Sequence, residues 1–183
     1  MDEVALVKAS QAGDKTAFGM LIDRYYKNIY QYAYQCMGNH QDSDDICQET
    51  FFRAFDNIRM LKDTKKFKAW IFKIASNLSR KRIKNIRVEK NIFTTACVNS
   101  LIQRSEDNGS QPFEKLSGRE NAIMIQEELQ KMPEHIRMAT VLVLIEGQTQ
   151  KETAEILNCS ESTISRDLDI GRAWLRKRLR NLF

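Results

Sequence analysis

Lys66, Lys73, Asn77, Arg80 and Lys84 recur at helical spacing, so on a helix they form one outward stripe of cations around an amide. Such a stripe suits a phosphate backbone. The charge is concentrated there. Residues 62–90 hold eleven Lys or Arg against Asp63 and Glu89, a local net of +9, whereas the whole chain nets only +5. A solvated helix face usually mixes signs, because like charges one turn apart repel. Phe67, Trp70, Ile71, Ile74 and Leu78 share the period on another side and predict the buried face of the same helix.

A second constellation precedes it. Asp45, Gln48, Glu49 and Phe52 fall at i, i+3, i+4 and i+7 of a helix expected from about Asp42 to Asn57. Acids in a first turn also complement the helix dipole. An acidic, amide-rich surface beside a strongly basic helix implies a protein partner distinct from the polyanion. Metal-dependent nuclease chemistry is disfavoured, because the carboxylates lie on one helix start with no matching cluster elsewhere.

The third constellation is C-terminal. Gln150–Leu157, a turn at Asn158-Cys159-Ser160 and a longer helix from Ser160 have the proportions of a helix-turn-helix, with Ala154 small enough for a close crossing. Glu161, Ser162, Ser165, Arg166, Asp169 and Arg172 fall on the outward side, where Arg can pair with guanine and Ser with several bases. Arg172, Arg176, Lys177, Arg178 and Arg180 are placed to meet phosphates, and Asp167 and Asp169 are the awkward residues for this reading.

The elements that position these groups read as helices throughout. Gly and Pro are scarce, at seven and two, and few segments alternate like strands. Gly13 ends a short first helix, Asp14 caps a second, and Gly38-Asn39 stops it. Pro133 opens a helix expected to reach Gly147. The apolar stripe of the last helix is Ile164, Leu168, Leu175 and Leu179. Residues 91–118 lose periodicity and predict a flexible linker, in which Ile92, Phe93, Leu101 and Ile102 are more apolar than a spacer needs. The expected architecture is all-α, with a helical domain over 1–90, the linker over 91–118 and a helix-turn-helix domain over 119–183.

Cys36, Cys47, Cys97 and Cys159 form no C-x-x-C pair, and neither His40 nor His135 has metal-ligand spacing to them. Reduced thiols and no metal or cofactor are expected, with Cys97 the best placed for any redox role. No apolar run spans a membrane, and the acidic start Met1-Asp2-Glu3 lacks a secretion-signal layout, so a soluble cytoplasmic protein is expected.

The runs D-S-D-D-I-C-Q-E-T-F-F-R-A and F-K-A-W-I-F-K-I-A-S-N-L resemble the promoter-melting domain of bacterial extracytoplasmic-function sigma factors, group IV of the sigma-70 family. K-M-P-E-H-I-R-M and T-Q-K-E-T-A-E-I-L-N-C-S-E-S-T-I-S-R resemble their upstream-reading domain. The resemblance implies a protein without catalysis of its own that binds core RNA polymerase and directs it to promoters. It implies that Asp45, Gln48, Glu49, Phe52 and Arg53 dock on the clamp helices of the largest subunit. Apolar surface around Ile136, Val141 and Leu144 would meet the flap of the second-largest subunit, and the linker would thread the active-site and RNA-exit region. It assigns the −10 element to Leu61, Lys62, Lys66, Lys73, Asn77, Arg80 and Lys84, with Leu61, Lys62 and Asn77 around a flipped base. Where relatives often carry an aromatic, Leu61 stands. It assigns the −35 element to Gln150, Lys151, Ser162, Ser165, Arg166, Asp169 and Arg172, and it implies an anti-sigma partner. The rival readings are a stand-alone helix-turn-helix regulator and a nuclease or recombinase with a DNA-binding module.

Overall fold

The computed structural model describes residues 2–96 and 116–178, with the side chains of 90–96 and 116–121 left aside. The expected linker residues Cys97, Leu101 and Ile102 lie outside that range, as do Leu179 and Arg180; Ile92 and Phe93 are described in backbone only. The described residues form eight α-helices and no strand: α1 Glu3–Gln11, α2 Lys15–Met37, α3 His40–Asn57, α4 Phe67–Ala96, α5 Leu116–Lys131, α6 Glu134–Thr140, α7 Gln150–Leu157 and α8 Glu161–Arg178. Helix α4 and helix α5 therefore each reach into the segment expected as linker.

Helix starts follow the capping chemistry. The Asp14 carboxylate accepts from the backbone N–H of Thr16 and Ala17 at the start of α2. Gly38 ends α2 at φ +77°, a left-handed conformation that costs glycine little. Helix α3 begins two residues earlier than expected, because Asn39 rather than Asp42 accepts the capping bond. Thr149 and Glu152 cap α7 reciprocally, each taking the other's backbone N–H. The helix expected over 133–147 instead runs as α6 and then a widened turn, Val141–Ile145, where the Glu146 N–H donates to the Val141 carbonyl.

Helices α1 to α4 close over Leu6, Leu21, Ile29, Tyr32, Phe67, Ile71 and Phe72, all fully buried. Tyr32 keeps its hydroxyl satisfied by Ser76 Oγ at 2.8 Å. Helix α4 is buried on more sides than its apolar stripe foretold: Phe72, Ala75 and Ile83 join Phe67 and Ile71, while Trp70 and Ile74 are only partly covered. The reason is tertiary, since α4 packs against α2 and α3 and also against α7. Helices α5 to α8 close over Leu129, Met138, Leu142, Ile156, Ile164 and Leu168.

The crossing of α6 and α8 depends on Gly171, where an added Cβ would lie 2.1 Å from Thr140 Oγ1. That hydroxyl is buried without a hydrogen-bond partner. Gly171→Ala should therefore destabilise the C-terminal domain by about 1–3 kcal/mol through overpacking. Thr140→Ala in the same chain removes the clashing atom and should restore most of the loss, since alanine is the better helix former. Thermal melts of the two variants check this; an undiminished melting temperature in Gly171→Ala alone would contradict the close crossing.

Candidate nucleic-acid and protein interfaces

Helix α4 carries the cationic stripe on an accessible side. Lys62, Lys66, Lys73, Asn77 and Lys84 are exposed and Arg80 is half-buried. Lys66 Nζ is paired with Glu155 Oε2 at 2.9 Å, which raises its pKa, and an Arg80 Nη donates to the Leu157 carbonyl at 3.3 Å. Two stripe members thus already hold groups of α7.

Leu61 sits elsewhere than expected. It is 8% exposed and belongs to the core, whereas Met60 beside it is 74% exposed. The cause is a tight 3-10 turn over Ile58–Met60, closed by the Leu61 N–H on the Ile58 carbonyl, which swings residue 60 outward and residue 61 inward. Gln11 pins this turn from α1, its Nε2 donating to the carbonyls of Ile58 at 3.0 Å and Leu61 at 2.8 Å. No sequence motif marks Gln11, because its partners lie about fifty residues away. Gln11→Ala removes both bonds, each contributing roughly 0.5–1.5 kcal/mol. It should loosen the loop ahead of α4 and lower the melting temperature of the N-terminal domain, with helix content by circular dichroism unchanged. An unchanged melting temperature would show that the loop needs no such tether.

On α3, Asp45, Gln48, Phe52 and Arg53 are exposed and Glu49 is half-buried, so the five form one accessible face. Glu49 Oε1 accepts from Arg53 Nε at 2.6 Å, an i,i+4 pair within that face. Phe52 is 63% exposed, and Tyr26, Phe55 and Met60 add further exposed apolar surface on α2, α3 and the following turn. Phe55 lies edge-on to buried Phe18 at 5.1 Å, and Tyr26 stacks on Phe51 at 6.2 Å. Asp42 has a different task. It is buried and binds Arg82 Nε at 2.6 Å, tying α3 to α4. This pair ties the acidic helix to the basic one, and Asp45 and Glu49 line a groove with Lys81 and Arg82 of α4, on a different side of α4 from Lys73, Asn77 and Lys84.

On α8, Ser162, Ser165, Arg166, Asp169 and Arg172 are exposed, as are Gln150 and Lys151 on α7. Ser160 Oγ accepts the Thr163 N–H at 3.2 Å and starts the helix. Asp167 points away from this side: it is buried, with its carboxylate 3.8 Å from His135 Nε2, so it puts no acid on the reading surface. Arg178 stands over the Trp174 ring and reaches Glu128, which also accepts from Trp174 Nε1. Of the apolar trio expected to face the flap, Ile136 and Val141 are core residues; Leu144 is exposed, as are Ile123, Met124, Ile145 and Ile170 among the described apolar side chains of this domain.

Burial pushes the Cys36 and Cys47 thiols up to about 12, so both are inert at neutral pH. Among the described residues no group of three or more His, Cys, Asp or Glu is placed to hold a metal ion, and no helix is long and apolar enough to cross a membrane.

Two accessible cationic surfaces on separate helical domains, with an acidic-apolar face beside the first, suit a protein that meets a polyanion and a protein partner at once. The Sigma-70 region 2 model matches residues 21–88 and the Sigma-70, region 4 model matches residues 122–175. The ECF RNA polymerase sigma factor SigW of Bacillus subtilis (strain 168) is 33% identical over 180 residues, 96% of each chain. The ECF RNA polymerase sigma-E factor of Escherichia coli (strain K12) is 26% identical over 172 residues, 90% of this chain and 87% of that one. Among solved structures, CnrH in complex with the cytosolic domain of CnrY superposes with a TM-score of 0.71 at 24% identity, covering 98% of this chain and 97% of that one. The sigma factor RpoE from Bartonella quintana, in complex with the anti-sigma factor NepR, gives 0.70 at 18% identity, covering 89% and 96%. The chain belongs to the ECF RNA polymerase sigma factors. It binds core RNA polymerase and promoter DNA and serves promoter-specific transcription initiation.

Proposed function

We propose that the exposed face of α3, centred on Asp45, Gln48, Glu49, Phe52 and Arg53, docks on the polymerase clamp, and that α4 handles the melted −10 element. Lys62, Lys66, Lys73, Arg80 and Lys84 follow the backbone, and Asn77 holds a base taken out of the stack. The exposed Met60, in place of Leu61, is the apolar side chain that the preceding loop offers to the opened strand. Gln150, Lys151, Ser162, Ser165, Arg166, Asp169 and Arg172 read the −35 element, with Arg166 and Arg172 the strongest candidates for guanine. The promoter-melting unit spans 1–90, the polymerase-threading segment 91–118 and the reading unit 119–183.

The observation that carries this reading is that the polymerase face and the Lys73–Asn77–Lys84 part of the stripe are accessible at once on one rigidly packed domain. The chain then performs no bond chemistry itself, works where the polymerase is, in the cytoplasm, and is a fitting target for an anti-sigma protein. Run-off transcription with purified core polymerase on a genomic fragment library tests it. Discrete transcripts that require the chain are expected. Specific duplex binding without polymerase, and no chain-dependent transcript, would favour a stand-alone regulator instead.

A further inference from the structure

Helices α3 and α4 leave a groove between them, about a third of a turn round α4 from the Lys73–Asn77–Lys84 stripe. Asp45 and Glu49 stand on its α3 wall, and Lys81 and Asn85 on its α4 wall. Ile46 and Leu78 supply the apolar surface between them. The bond from Arg82 Nε to the Asp42 carboxylate at 2.6 Å ties the two walls together. Each wall keeps one helical register, with residues 42, 45, 46 and 49 on α3 and 78, 81, 82 and 85 on α4.

The two cations of the groove differ. Arg82 is spent inside the fold: beyond Asp42 it reaches Glu89 at 3.7 Å, and the Asp42 bond raises its pKa. Lys81 is exposed and takes part in no ion pair among the described residues. The fold therefore leaves Lys81 for something outside it.

Size and charge decide what that is. The groove encloses about 190 Å³. Small-molecule sites run to about 300–1,000 Å³, so this one has room for a side chain or two of a protein. Asp42, Asp45 and Glu49 against Lys81 and Arg82 leave it a net of −1, which disfavours a phosphate backbone. Its signs are sorted by wall, acids on α3 and cations on α4. That pattern fits a protein edge with a cation toward α3 and a carboxylate toward α4. Asp45 and Glu49 also belong to the accessible face of α3, so whatever lies on that face reaches the groove.

We infer that core polymerase docks across this groove as well as on α3, so that Lys81 and Asn85 of the basic helix are polymerase contacts, with Lys81 meeting a carboxylate of the partner. This rests on the reading of the α3 face as the polymerase seat. Polymerase then holds α4 directly on one side, while Lys73, Asn77 and Lys84 stay turned to the DNA.

The test measures affinity of the full chain for core polymerase without DNA. Lys81→Glu should weaken it about tenfold, a shift of about 1.4 kcal/mol. Asn85→Trp, which fills the groove without changing charge, should do the same. Lys84→Glu changes the net charge equally, from +5 to +3, and should keep the affinity within about twofold. Thermal melts and circular dichroism of all three should match the parent. At concentrations that saturate polymerase, Lys81→Glu should still open a promoter and Lys84→Glu should not. Parental affinity in both Lys81→Glu and Asn85→Trp would overturn the inference. So would equal losses in Lys81→Glu and Lys84→Glu, or lost opening by saturated Lys81→Glu, which would place Lys81 on DNA. Self-association of the parent that Lys81→Glu abolishes, with polymerase affinity intact, would put a second copy of the chain in the groove instead. Phe52→Ala, on the α3 face and off the groove, reads the α3 seat separately: its loss beside intact groove variants would sink the groove alone.

Discussion

Asp45→Lys combined with Glu49→Lys weakens binding to core polymerase by at least about a hundredfold, some 2.7 kcal/mol. Both residues lie on the accessible face of α3 and reversing them turns an acidic patch cationic. Truncating one partner of a desolvated interfacial charge pair costs about 2–5 kcal/mol, and reversal adds repulsion to that loss. The fold should tolerate the change. Losing the Glu49–Arg53 pair, at 2.6 Å on the surface, costs only about 0.3–0.5 kcal/mol. The buried tether between Asp42 and Arg82 is untouched. A pull-down with core polymerase, beside a thermal melt, reads both quantities. Retained affinity would remove the polymerase from this face.

Asn77→Ala has the complementary effect: core binding persists and promoter opening falls by about ten- to a hundredfold. Extruding a base costs a few kcal/mol of stacking, which a pocket must offset. Removing the amide leaves polar base edges unmatched, at about 1–3 kcal/mol. Asn77 is exposed on α4, so the substitution touches no core contact, and alanine is at least as good a helix former. Open-complex formation followed by stopped-flow fluorescence, together with polymerase affinity, separates the roles. Equal loss of both would mark Asn77 as a residue of the fold.

The all-helical fold was legible because its signals are local. Asp14 and Gly38 act within one turn of the residues they cap. The outward positions of α3 and α8 were legible for the same reason: periodicity alone puts Phe52 and Arg166 on a solvent face. What escaped was set by contacts distant in sequence. Leu61 looked like a loop tip until a 3-10 turn and the distant Gln11 turned it inward and Met60 outward. Asp167 looked like an acid on a DNA surface, yet it is buried toward His135. The resemblance put Ile136 and Val141 on a docking surface, but both are buried in the core. The extra burial of Phe72 and Ala75, and the pairing of Lys66 with Glu155, follow from packing that no window of α4 encodes.

Permanganate mapping of unpaired thymines tests the central claim most directly, on a promoter found by run-off transcription. Reactive thymines should appear around the −10 element only when core polymerase and this chain are both present, and should fall about ten- to a hundredfold with Asn77→Ala. Reactivity with polymerase alone, or none with both, would contradict the account.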